Sequence, residues 1–153
     1  MPLRIIVAVL AGLCLAAPSS AQTTRFTDST RWVPLGGVDR ELAGDEPLPA
    51  FQQYVDVTSV RVTPEKTAHV AVGWAYRRDQ TTSVGSPCDA NVGTWEVDCD
   101  RRRMRLVSLA THYRDETLFT DTEGSDWMIP TRTAVTFPII RVVCDFLQGA
   151  RGT

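Results

Sequence analysis

The stretch WEVDCDRRRMRL, Trp95 to Leu106, sets Cys99 beside Arg101, Arg102, Arg103 and Arg105. Three chemistries use a thiol among guanidinium groups: a phosphate-gripping nucleic-acid patch, a redox or metal centre, and a strand pinned by a disulfide. The neighbours separate them. Glu96, Asp98, Asp100 and Asp115 lie close enough to neutralise the arginines, and no aromatic residues are interleaved to stack bases. The arginines alternate across two faces of an extended chain and read as a solvated, charge-mixed strand end. A formal net charge of −2 is also not that of a nucleic-acid binder.

Metal and cofactor chemistry find little support. There is no CxxC pair, His69 and His112 stand far from every cysteine, and the acidic residues form no calcium loop. His69 or His112 could serve as a base, and Ser59, Ser108 or Cys88 as a nucleophile, but no catalytic signature surrounds them. A lone histidine on a strand is ordinarily a surface or core residue. The expectation is a non-catalytic protein with no catalytic residue, no cofactor and no metal. Trp32, Trp74, Trp95 and Trp127 read as core and rim anchors.

The compartment decides how the cysteines are read. Met1 to Arg4, an apolar run from Ile5 to Ala17, and a small-residue ending at Ser19 and Ala21 have the form of a secretory signal peptide. The run is too short to span a membrane, and no second apolar span follows. Cleavage before Gln22 leaves one domain's worth of chain, with residues 22–30 a flexible leader and 31–148 the folded domain. Acylation at Cys14 is disfavoured, because Leu13 stands where a small residue is needed. The chain is therefore expected in the periplasm or on the cell surface of a Gram-negative-type bacterium, where disulfides persist.

The elements that must position these residues are mostly strands. Arg31 to Leu35 reads as a short strand whose Pro34 points to an edge position or an early end. Residues 36–50 and 79–93, rich in glycine, proline and charge, read as long loops able to carry function. Phe51 to Thr63 is β-rich, Thr63 to Thr67 turns, and from Ala68 the chain alternates, with Val70, Val72, Trp74 and Tyr76 on one side. Trp95, Val97 and Cys99 share the inward face of the next strand. A turn near residues 100–102 must then reset the phase so that Met104, Leu106, Ser108 and Ala110 face inward; otherwise three arginines would be buried. Val135, Ile139, Val142, Val143 and Phe146 recur at helical spacing, and Pro138 requires that helix to begin near Thr136. The pattern predicts an α+β domain, an antiparallel sheet of about five to six strands with one C-terminal helix packed on it.

Export leaves Cys88, Cys99 and Cys144 in an oxidising compartment. Cys144 lies on the apolar side of the helix, so a bond to Cys99 would tie helix to sheet and stabilise the fold by about 3–4 kcal/mol. Cys88 could instead pair with either, remain free, or form an intermolecular link.

Taken in order, these residues resemble the surface-adhesin protein E family of small exported bacterial proteins. The likeness is carried by Trp32 and Val33, the Tyr54-to-Val60 segment YVDVTSV, and Val97 to Cys99. The arginine run to Leu106, Tyr113, the Trp127-to-Pro130 segment WMIP and Val142 to Cys144 complete it. The resemblance implies a sheet backed by a C-terminal helix and a Cys99–Cys144 disulfide. It also implies a protein partner, with display on the outer membrane, binding of host proteins and, at times, a homodimer. A soluble periplasmic envelope factor or enzyme inhibitor is the alternative function. Cys88 is a departure from the family pattern.

Overall fold

The computed structural model describes residues 24–38, 41–43, 46–48 and 50–151. The segment read as a signal peptide, including Cys14, lies outside them. After a 3-10 turn at Thr24–Phe26 come β1 (Trp32–Val38), β2 (Glu41–Ala43), β3 (Glu46–Leu48), β4 (Phe51–Val62), β5 (Ala68–Thr81), β6 (Pro87–Asp98), β7 (Arg103–Tyr113), β8 (Glu116–Asp121) and the helix α1 (Phe137–Arg151). One six-stranded sheet has the order β1-β4-β5-β6-β7-β8, and β2 pairs with β3 in a separate hairpin. All pairings are antiparallel. The α+β architecture expected from the sequence is therefore the one observed.

The strongest alternation made the central strand. Ala68, Val70 and Val72 are buried on the face that meets α1, packed with Val55, Trp95, Val97, Met104, Ile139, Ile140 and Val143. The turn before β5 closes where expected, with the Thr63 amide donating to the Thr67 carbonyl at 2.8 Å and Lys66 left-handed at φ 63°. Two expected loops are strands instead. β5 and β6 extend to Thr81 and Pro87, so the loop placed over 79–93 shrinks to the hairpin tip at residues 82–86. Apart from Ala50, the described parts of the 36–50 loop belong to β1, β2 and β3. Main-chain pairing overrode the glycine and proline signals, because each of these segments found an antiparallel neighbour for its amides and carbonyls.

The phase reset also differs in detail. Residues 99–102 do turn, with Arg102 left-handed at φ 50°, and Met104 and Leu106 then face the helix side. Thr94 pairs with Ser108 but Trp95 with Leu106, leaving Val107 as an extra residue. That bulge sends Ser108 and Ala110 to the opposite face, contrary to expectation, because each added residue inverts a strand's parity.

α1 begins at Phe137 with Pro138 in its first turn, where no amide hydrogen bond is lost. Ile139, Ile140 and Val143 are its buried side, whereas Phe146 is exposed, so the predicted apolar stripe is displaced by one residue at its end. The other sheet face is covered too. Phe26 is buried, stacked on Tyr54 at 4.9 Å and edge-on to Trp32 at 4.8 Å. Its ring lies over Gly73, where a Cβ would overlap it. Residues 24–30, read as part of a loose leader, thus form a strap with a core residue of their own.

Candidate functional site

Cys99 follows the last residue of β6, and Cys144 lies one residue beyond the buried Val143. Their Cα atoms are 5.6 Å apart and the sulfurs are bonded, across a sequence separation of 45. This bond, which the inward phase of Cys99 allowed and the family resemblance implied, joins α1 to the sheet. Cys88 is buried and unbonded, and burial, followed by the charges of Asp89 and Asp79, pushes its thiol pKa up.

Beside the disulfide opens a groove of about 320 Å³, floored by Cys99, Cys144, Phe137 and Ile140. Its far wall is Ile129 and Pro130, on a segment that returns along β7. Met104 and Met128 exchange main-chain hydrogen bonds of 2.9 and 2.8 Å, and the Ser125 amide donates to the Leu106 carbonyl. Gly124 makes that return possible, since a Cβ there would come within 2.8 Å of the Leu106 carbonyl oxygen. Ile129 is left 74% exposed at the groove's mouth. Arg102 and Arg141 line the rim with Asp145 and Gln148. Neither arginine forms an ion pair among the described residues. The groove can accept an apolar side chain and hold an anion beside it.

The other arginines are already engaged. Arg105 Nη2 lies 2.6 Å from Glu96 Oε2, and Arg103 Nε and Arg101 Nη1 lie 3.0 and 3.2 Å from Asp98 Oδ2. The Thr67 hydroxyl donates to Glu96 Oε1 at 2.7 Å. Burial alone would raise both carboxyl pKa values. Hydrogen bonds from Thr67 and Arg105 at Glu96, and from Arg101 and Arg103 at Asp98, more than offset it and hold both below the usual range. The Trp127 ring then covers Arg103 and Arg105 at 4.4 and 4.9 Å. The expected neutralisation by Glu96 and Asp98 is present. The arginines are divided between two sides as expected: Arg102 lines the groove beside α1, whereas Arg103 and Arg105 share the side of Asp98 and Glu96. Trp127 as their cover had no sequence signal, being 22 positions or more from both.

The candidate bases and nucleophiles are not brought together. The Ser59 hydroxyl donates to the Asp56 carbonyl and accepts from the Ala71 amide, bridging the β4 bulge. His69 Nε2 lies 4.0 Å from Glu96. His112 is buried on the strap side, with Nδ1 3.1 Å from the Thr117 hydroxyl. Burial, then the nearby charge of Arg25, lowers its pKa, while the Glu116 backbone acts oppositely. Among the described residues no histidine pairs with Ser59, Ser108 or Cys88, and no group of three ligand-type side chains could hold a metal ion. Nor, among them, is any helix long and apolar enough to cross a membrane.

Together, the features define a small antiparallel-sheet domain with a disulfide-anchored helix and an apolar groove beside the disulfide. The family model for surface-adhesin protein E matches residues 45–145, and the chain belongs to that family. No curated protein and no solved structure matches it.

Proposed function

We propose that this chain is an exported, non-catalytic binding domain that holds a host protein at the bacterial surface. The observation that carries the reading is the groove beside the Cys99–Cys144 disulfide. It combines an apolar floor with Arg102 and Arg141 on its rim, in a chain of an adhesin family. An apolar side chain flanked by a carboxylate on the partner would fill the floor and pair with the rim. The disulfide fixes the floor and the main-chain hydrogen bonds between Met104 and Met128 fix the far wall, so little ordering is needed on binding.

Bacteria displaying the chain should adhere to immobilised host-cell surface proteins, and protease added to intact cells should remove it. Ile129→Glu and Arg141→Glu should each lower adherence by about tenfold. Confinement to the periplasm, with resistance to external protease, would sink the adhesin reading and favour an envelope factor. Mass spectrometry of the mature N-terminus, combined with fractionation, fixes the cleavage site and the compartment.

A further inference from the structure

On the sheet face opposite α1, the strap and β6–β7 border a second, open cavity of about 460 Å³, lined by Arg25, Arg31, Trp32, Val92, Ala110, His112 and Asp115. We propose that this cavity binds a small anionic, hydroxyl-bearing ring of the uronic-acid kind, such as an acidic sugar unit. This goes beyond the protein-partner reading, uses none of the groove residues, and stands or falls separately.

Four features converge on that chemistry. First, two guanidinium groups line one cavity. The hydrogen bond from Arg31 to Asp56, at 2.7 Å, uses Nε and leaves its side chain 53% exposed. Arg25 Nη2 donates to the Asp115 carbonyl at 2.9 Å, which fixes its reach along the strap. A carboxylate is the ligand group that planar guanidinium forks best match.

Second, the walls between the charges are apolar. Trp32, with Arg31 over its ring at 5.3 Å, joins Val92 and Ala110. A sugar ring presents a C–H face to such a surface and hydroxyls at its edge. Third, the volume falls in the range of small-molecule sites.

Fourth, His112 is 96% buried, being 4% exposed, and its Nε2 has no hydrogen-bond partner. Thr117 engages Nδ1, so Nε2 is the ring nitrogen left for a ligand. Buried polar atoms are rarely left unsatisfied. In the tautomer that carries its proton on Nδ1, the His112 imidazole offers Nε2 as an acceptor. Acceptors suit hydroxyl donors, and a bare inorganic anion would not satisfy them.

The test uses the exported chain with glucuronate as the probe, glucose as its uncharged counterpart and sulfate as an anion without a ring. Titration calorimetry should show glucuronate binding with a Kd of about 1 mM or tighter. Glucose and sulfate should each bind at least about tenfold more weakly. Arg25→Gln and Arg31→Lys should each weaken glucuronate about tenfold. Ala110→Phe, which fills the cavity without removing a charge, should abolish binding while near-ultraviolet circular dichroism stays native. The His112 imidazole signals should shift on glucuronate addition, and Ile129→Glu should leave binding unchanged. Absence of glucuronate binding to the folded parent, sulfate binding as tightly, or undiminished binding to a folded Ala110→Phe protein would each overturn the proposal.

Discussion

Glu96 and Arg105 face each other across β6 and β7, with the carboxylate taking a second hydrogen bond from Thr67 and His69 Nε2 lying 4.0 Å away. Glu96 is nearly buried although it lies on the side away from α1. The pair, with Asp98 and its two arginines, ties three of the four arginines of the most basic stretch to carboxylates of β6.

That arrangement makes stability acid-sensitive. The Glu96 and Asp98 carboxyls titrate below their usual values of 4.5 and 3.8 in the folded chain. Between folded and unfolded values the unfolded chain binds more protons, so stability rises with pH there. The contribution is full above the unfolded values and is lost as pH falls through the folded ones. Urea midpoints measured from pH 6 to pH 2 should show the decline, and Glu96→Gln should flatten it. At pH 7 that substitution should destabilise by about 1–3 kcal/mol, because Arg105 loses its charged partner.

His112 and Asp89 act at higher pH. His112 has a pKa lowered from 6.5, so the unfolded chain takes up its proton first and stability drops as pH falls below that value. Nuclear magnetic resonance titration should place its midpoint below 6.5. The Asp89 pKa is raised by burial above all, while its Oδ2 accepts from the Arg114 amide at 2.8 Å. Asp89→Asn keeps an acceptor for that amide and removes the buried charge. It should raise the thermal midpoint at pH 7, with the gain vanishing where aspartate is protonated in both states.

Reduction of Cys99–Cys144, or its replacement by a pair of serines, should lower stability by about 2–4 kcal/mol. Equilibrium unfolding with and without reductant measures it. Cys88 should react with a thiol reagent slowly in the native chain and rapidly in denaturant, since it is buried.

The strap gives a sharper structural test. Phe26→Ala removes a ring held between Tyr54 and Trp32 and should cost about 3 kcal/mol. Gly73→Ala attacks the same contact from the sheet side, by displacing the ring. Both should change Trp32 emission, and a strap that is dispensable would leave thermal midpoints unaltered.

Local pattern revealed much of this architecture. Alternation exposed β5 and its buried side, and the parity of Trp95, Val97 and Cys99 pointed the cysteine inward. Helical spacing and Pro138 located the start of α1. These signals were legible because each depends on neighbours a few residues apart. The hairpin tip at 82–86 was obscured, since the glycines and prolines around it are as compatible with a strand end as with a loop.

The sequence by itself determined the class of element at most positions, the inward phase of Cys99, and the carboxylates available to quench the arginines. Family likeness added the choice of Cys144 as partner. Only the tertiary structure decided that Val107 inverts β7, that Trp127 covers Arg103 and Arg105, and that Phe26 turns a leader into a strap. The same holds for the groove at Ile129 and the cavity at His112. Each depends on segments far apart in the chain meeting in space, and periodicity describes only what one segment offers, not what another will bring to it.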